Sequence, residues 1–354
     1  MCRPNAMILA ALLTVLAGGC TDDSPQTTGP SPEGSGPAAA IPSTYTIKNL
    51  GTLGGNYSRA RAINNVGQTV GSSRTSSGQV HAFLYQAGVM KDLGALAGGL
   101  SEANDINDAG VVVGYSTVLS GAERAVRWQG GVKKNLGTLG GRSSRATGIN
   151  EDGVIVGWAE TTSGDKHAFV WKNGVMSDIG TLGGKVSQAN GINNAGRVVG
   201  WSTTASGEDH AFSWNGKFQD LGNDGREFGV AMAVNSGRIV GYVGPALDAE
   251  GGEREMITPF VFSAGVITVF GTGQISSYAH DVNPDGIVVG GDEDVRTEYG
   301  NANAWVRRSD GTLQHLPELA DGHAMAMGIN QFGTIVGFSA PADGWTRAVI
   351  WRRQ

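Results

Sequence analysis

Three histidines recur in one setting: HAFLY begins at His81, HAFVW at His167 and HAFSW at His210. Imidazoles in a repeated register are candidate metal ligands or proton carriers. A carboxylate–amide string, DVNPDG from Asp281, matches the opening of a calcium loop, with oxygens from Asp281, Asn283 and Asp285. Its twelfth position is Asp292 rather than Glu. Only Asp105 matches Asp281 among the related strings, so a plain turn is the first reading and calcium the second. GTLGG, at 51–55, 137–141 and 180–184, suggests a phosphate cradle. It precedes a strand pattern rather than a helix N-terminus, which removes that chemistry. The sequence contains no G-x-S-x-G turn, H-E-x-x-H pair or cysteine cluster.

The elements that carry these residues are copies of one unit. INNAGRVVGWS from Ile192 is echoed by INDAGVVVGYS from Ile106, INEDGVIVGWA from Ile149 and INQFGTIVGFS from Ile329. Aligned on the Asn there are seven copies, at Asn64, Asn107, Asn150, Asn193, Asn235, Asn283 and Asn330. A spacing near 43 residues marks a repeat array or propeller. In the fourth copy SQANGIN, RVVGWST, HAFSW and KFQDLG read as strands a to d, parted by turn residues. N-x-x-G between a and b suits a tight hairpin turn with a left-handed Gly. The last copy ends after its strand c, and TIKNLGTLGG from Thr46 supplies a strand d in register. This arithmetic predicts an all-β, seven-bladed β-propeller of four strands per blade, closed by an N-terminal strand that completes the last blade. In such a ring the three histidines lie around the circumference and do not converge. Arg124 and Arg347 hold their place in other copies, which indicates a surface or capping role. Tyr85, Trp128, Trp171, Trp214 and Trp351, ending strand c, are read as wedge fillers between blades.

The HAF strings, together with DIGTLGG (178–184) and its relatives, resemble the HAF family of bacterial extracellular repeats over 45–354, with copies five and six eroded. The resemblance implies an exported, repeat-built protein and carries no catalytic residue. The start of the chain agrees. Arg3 precedes an apolar core, MILAALLTVLA, and LAGGC places Cys20 as in a lipoprotein signal, departing from it at Ala17. Residues 1–19 are thus read as a signal peptide. Acylated Cys20 and the Pro/Gly/Ser-rich stretch to 44 form a disordered tether, and 45–354 form one propeller. A net charge of −6 argues against nucleic acid. Membrane contact is expected only through the lipid, and the chain is read as a monomer.

Repeated residues build a ring, so function should lie where the repeat breaks. The b–c loops of copies five and six are longer and acidic, and the sixth contains Asp292, Glu293 and Asp294. They could take a cation or a basic partner. Five residues before the Asn stand Arg59, Glu102, Arg145, Gln188, Val230, Tyr278 and Met325, each followed by Ala. If strand a is innermost these ring a central channel, with His280 and His323 nearby. The sequence is read as an envelope-tethered binding or scaffolding module with a protein or polysaccharide partner. The alternative is a polysaccharide hydrolase or lyase using His280, Glu102, Arg59 and Arg145 at the channel mouth.

Overall fold

The computed structural model describes residues 44–247, 253–254, 256–271, 276–293, 302–320, 323–341 and 344–354. The readings on Cys20, the signal, the tether and Asp294 lie outside these residues. Seven antiparallel sheets of four strands form the blades of a propeller. Blade 3 is representative, with strand a at Gly140–Ile149, b at Ile155–Thr161, c at Lys166–Lys172 and d at Val175–Gly180. Blade 7 joins the two ends of this unit: Ala324–Ile329, Ile335–Ser339 and Arg347–Arg353 are completed by Tyr45–Asn49, which pairs with the last strand from Tyr45↔Arg353 to Asn49↔Val349. The predicted closure is therefore present. None of the described residues forms a helix able to cross a membrane.

The core is divided into seven apolar clusters, one at each blade–blade interface among the described residues. The aromatic that ends strand c fills the wedge: Trp128, Trp171 and Trp351 are buried where the sheets splay. The cluster between blades 7 and 1 joins Val336, Ala348 and Ile350 to Ala60, Phe83 and Tyr85, so closure buries apolar surface as well as pairing a strand.

One device in strand a recurs in all seven blades. The a–b ladder slips by one residue between the Ala four before the Asn and the residue two before it. This is a β-bulge, which leaves one residue unpaired and re-aims its side chain. Opposite it stands the V-G glycine of strand b. A Cβ there would lie 1.9–2.0 Å from the carbonyl oxygen five before the Asn, in every blade. The partner Ala is fully buried in every blade. The invariant Ala and Gly are thus two halves of one close backbone approach.

The repeated Asn does more than start a turn. Asn107 Oδ1 accepts the Val111 N–H at 3.0 Å, and its Nδ2 donates to the Asn150 carbonyl in the next blade at 3.1 Å. Asn64, Asn150 and Asn330 make the same links to the following blade, and Asn330 to Asn64 bridges the last blade to the first at 3.2 Å. A second ring runs one residue on, from Gln331 to Asn65, Asp108, Glu151 and Asn194. Serines add a third kind of tie: Ser58 Oγ of blade 1 accepts the Ala348 N–H of blade 7 at 2.8 Å.

Candidate functional site

The bulge decides what lines the channel. The residues it re-aims stand three before the Asn: Arg61, Asn104, Thr147, Asn190, Met232, His280 and Met327. All seven line one open cavity of about 950 Å³ along the axis. The wall is two-sided. Asn104, Thr147 and Asn190 donate to the Ala146, Ala189 and Ala231 carbonyls of the next blade, at 2.7–2.8 Å, which fixes a polar side. Met232, His280 and Met327, on blades 5, 6 and 7, form a softer side. Burial, with the Arg61 charge added, pulls the His280 imidazole down to about 4, so it is neutral at neutral pH.

Two carboxylates occupy the next position, where other blades carry Ala or Gly. Asp105 accepts the Ile106 N–H and, across the blade boundary, the Ile149 N–H, both at 2.8 Å. Asp281 does the same with Val282 and with Ile329 of blade 7. Each is a staple between neighbouring blades. Burial outweighs these bonds and raises Asp105 to about 7 and Asp281 to about 6. The charge of Asp281 also raises Asp105. Because both folded values lie above the unfolded carboxylate value, the native state binds more protons between them. The two carboxylates therefore lower stability as pH rises from about 4 to 7, opposed in part by His280, whose depressed value adds stability over the same range, and the net expectation is a fall. Thermal melting across that range should show the decline, and Asp105→Asn should flatten it while lowering stability at pH 4. A melting temperature that rises steadily across this window would refute the buried-carboxylate reading.

The residues five before the Asn lie two positions earlier along strand a and pair in a regular way. Each pairs across strand b with the residue after V-G, as in Arg145↔Trp158, Glu102↔Tyr115 and Gln188↔Trp201. Three of them also reach the preceding blade's aromatic. Arg145 lies 4.0 Å over Tyr115, Arg59 lies 4.4 Å over Phe338, and Tyr278 meets Tyr242 edge-on at 5.2 Å. The aromatic after V-G is thus a second structural ring, and the sequence reading passed over it although VVGYS, IVGWA and VVGWS display it. Of the residues proposed from sequence, Arg145, Gln188 and His280 line the cavity. Arg59, Glu102, Tyr278 and His323 do not. Glu102 pairs with Arg61 at 3.9 Å, and His323 packs against Phe338. Of the four residues of the hydrolase alternative, His280 and Arg145 line the cavity and Arg59 and Glu102 do not.

The mouth on the b–c side is built by blades 2 to 4. Glu123 grips Arg145 through two hydrogen bonds, and Lys166 lies 4.4 Å over the Trp158 ring. Lys166 is exposed and Gln188 partly so, and both open on the cavity. Arg145 is held over two rings by a carboxylate, which fixes its direction before any ligand arrives.

Elsewhere the candidates are placed as follows. His81, His167 and His210 each meet an aspartate of their own blade's strand d, Asp92, Asp178 and Asp220, at 2.7–2.9 Å. Those aspartates also accept the N–H of Gly94, Gly180 and Gly222. Where the His is Arg124 or Arg347, the Asp slot holds Asn135 or Asn49. In the turn at Asn283, Gly286 donates back to the Asn283 carbonyl, and Asn283 Oδ1 accepts the Ile287 N–H. Asp281 and Asn283 thus engage their oxygens with backbone, while Asp285 is exposed. Asp292 is 4% exposed, and burial raises its carboxyl, so it belongs to the blade rather than to an acidic ledge. Glu293 follows at the end of the strand, half-buried.

No family model matches the chain, and no curated protein matches it. Among solved structures it is similar to the β-propeller domain of the Trilobed protease from Pyrococcus furiosus, with 11% identity and a TM-score of 0.52 over 84% of this chain and 95% of that one. The BP39L lectin from Burkholderia pseudomallei aligns at 9% identity and TM-score 0.48, covering 88% and 96%. TolB from Acinetobacter baumannii aligns at 11% and 0.47, covering 77% and 66%. At these identities the likeness concerns the fold alone.

Proposed function

We propose that the protein is an exported, lipid-anchored member of the HAF repeat group whose propeller is a binding module of the bacterial cell envelope. Its partner would be a polysaccharide carrying anionic groups, taken at the channel mouth of blades 2 to 4. The observation that supports this is the pre-oriented cluster of Arg145, Lys166, Trp158 and Gln188 opening on a large polar channel. The titratable groups deeper in the wall, Asp105 and Asp281, serve the ring. What faces a ligand at the mouth is the Lys166 cation, the Arg145–Glu123 ion pair and the Gln188 amide on an aromatic base.

Envelope polysaccharide and envelope protein fractions would be titrated separately with the propeller, residues 44–354. Lys166→Glu should weaken polysaccharide capture at least about tenfold, an effect near 1.4 kcal/mol, and added salt should do the same. His210→Ala, on the circumference, should leave capture unchanged. Capture from the protein fraction alone, or equal capture by Lys166→Glu, would sink the reading. The lipid is tested separately, by loss of acyl-chain labelling in Cys20→Ser.

A further inference from the structure

Blade 6 breaks the aromatic ring in a particular way. Blades 2, 3, 4, 5 and 7 carry Tyr115, Trp158, Trp201, Tyr242 and Phe338 after V-G, blade 1 carries Ser72, and blade 6 alone has no side chain there, at Gly291. A Cβ on Gly291 would lie 2.9 Å from Met325 Cγ. Met325 therefore drops into the space that a side chain would fill. There its sulfur comes within 3.3 Å of His280 Nε2. The other ring nitrogen of His280 is buried and has no hydrogen-bond partner. A neutral imidazole that meets only a thioether, a weak acceptor, is a poorly satisfied buried group.

The bulges turn two further thioethers onto the channel wall that carries His280. Met232 and Met327 are the re-aimed residues of blades 5 and 7, flanking His280 of blade 6, and all three line the same cavity.

We propose that the soft side of the channel is a binding site for a monovalent soft metal ion, of the copper(I) class, held by the His280 imidazole and the Met325 thioether, with Met327 and Met232 completing the set. The neighbouring Asp281 carboxylate has both oxygens engaged by the Val282 and Ile329 N–H groups, and the thioether and imidazole donors that are left select this class over zinc or calcium. The ion would give the underused imidazole a strong partner, and it would explain why blade 6 holds Gly where an aromatic would seal the wall. The competing account is ordinary packing, in which methionine fills an irregular gap.

Silver(I) is a redox-inert probe for this class. Residues 44–354 contain no cysteine, and their ring closes on itself, so they can be titrated free of thiol competition. One equivalent should bind, and the ε-methyl resonances of Met325 and Met327 should move while those of Met90 and Met176 stay. Met325→Leu, which keeps the packing volume, should weaken binding about tenfold or more, and His280→Leu should do likewise. The methyl readout on the unaltered chain does not depend on either variant folding. Absence of stoichiometric binding, shifts confined to other methionines, or unchanged affinity in both variants would each overturn the proposal.

Discussion

Gly157→Ala should be among the most damaging single changes available, costing roughly 3 kcal/mol or more. The added Cβ would lie 2.0 Å from the Arg145 carbonyl oxygen and 2.9 Å from the Ala146 Cα. Neither atom belongs to a flexible side chain, so the bulge itself must be rebuilt. The proper control is Gly153→Ala in the neighbouring turn. Gly153 has φ +74° and nothing within 4 Å of its would-be Cβ, so it should lose only the left-handed penalty, about 1–2 kcal/mol. Denaturant midpoints of the two variants settle the matter. Equal losses would mean that the close approach at the bulge is not what fixes glycine there.

The asparagine ring offers a graded second test. Asn107→Ala removes the acceptor for Val111 N–H and the donor to the Asn150 carbonyl, both buried, and should cost about 2–4 kcal/mol. Asn283 also accepts from Ile287 N–H, but its Nδ2 is buried without a partner. Asn283→Ala removes one bond and also one unsatisfied donor, so its cost should be half as large or less. Blade 5, which precedes it, turns in two residues at Ser236 and Gly237 rather than three, and there the chain of links is interrupted. If the two substitutions cost the same, the inter-blade amide bond contributes nothing to stability.

Much of the ring was legible in the sequence, because each copy states the same constraints. Asn, Ala and V-G recur at fixed offsets, and Leu50 keeps the register that lets the first strand finish the last blade. The level of the channel ring was not legible. The varied position five before the Asn draws the eye to Arg59 and Arg145, whereas the position that lines the cavity in all seven blades lies two residues on, at Arg61 and Thr147, and alternation puts both on one face. A bulge leaves no composition signal of its own. Its trace is indirect: a glycine in strand b of all seven copies, facing an alanine. The pairing of His with Asp, and of Arg with Asn, could have been read by comparing His81 and Asp92 with Arg124 and Asn135. The two stapling carboxylates were visible only as departures from Ala or Gly, and their partners lie a whole repeat away.

The strand that completes blade 7 has a consequence for the order of events in folding. Tyr45–Asn49 is made first and is paired last, since its partner is Arg347–Arg353. Until the far end arrives, one side of the nascent assembly is unsatisfied, and a chain held at both ends could not finish. The entropic charge for waiting is small. Closing a loop of about 300 residues instead of one blade's length adds roughly three doublings, or about 2 kcal/mol. What delay threatens is the exposed partner strand, with Trp351 and Ile350 uncovered, which another copy's first strand could capture. Speed of completion, more than depth of the final minimum, would then govern the yield of single rings.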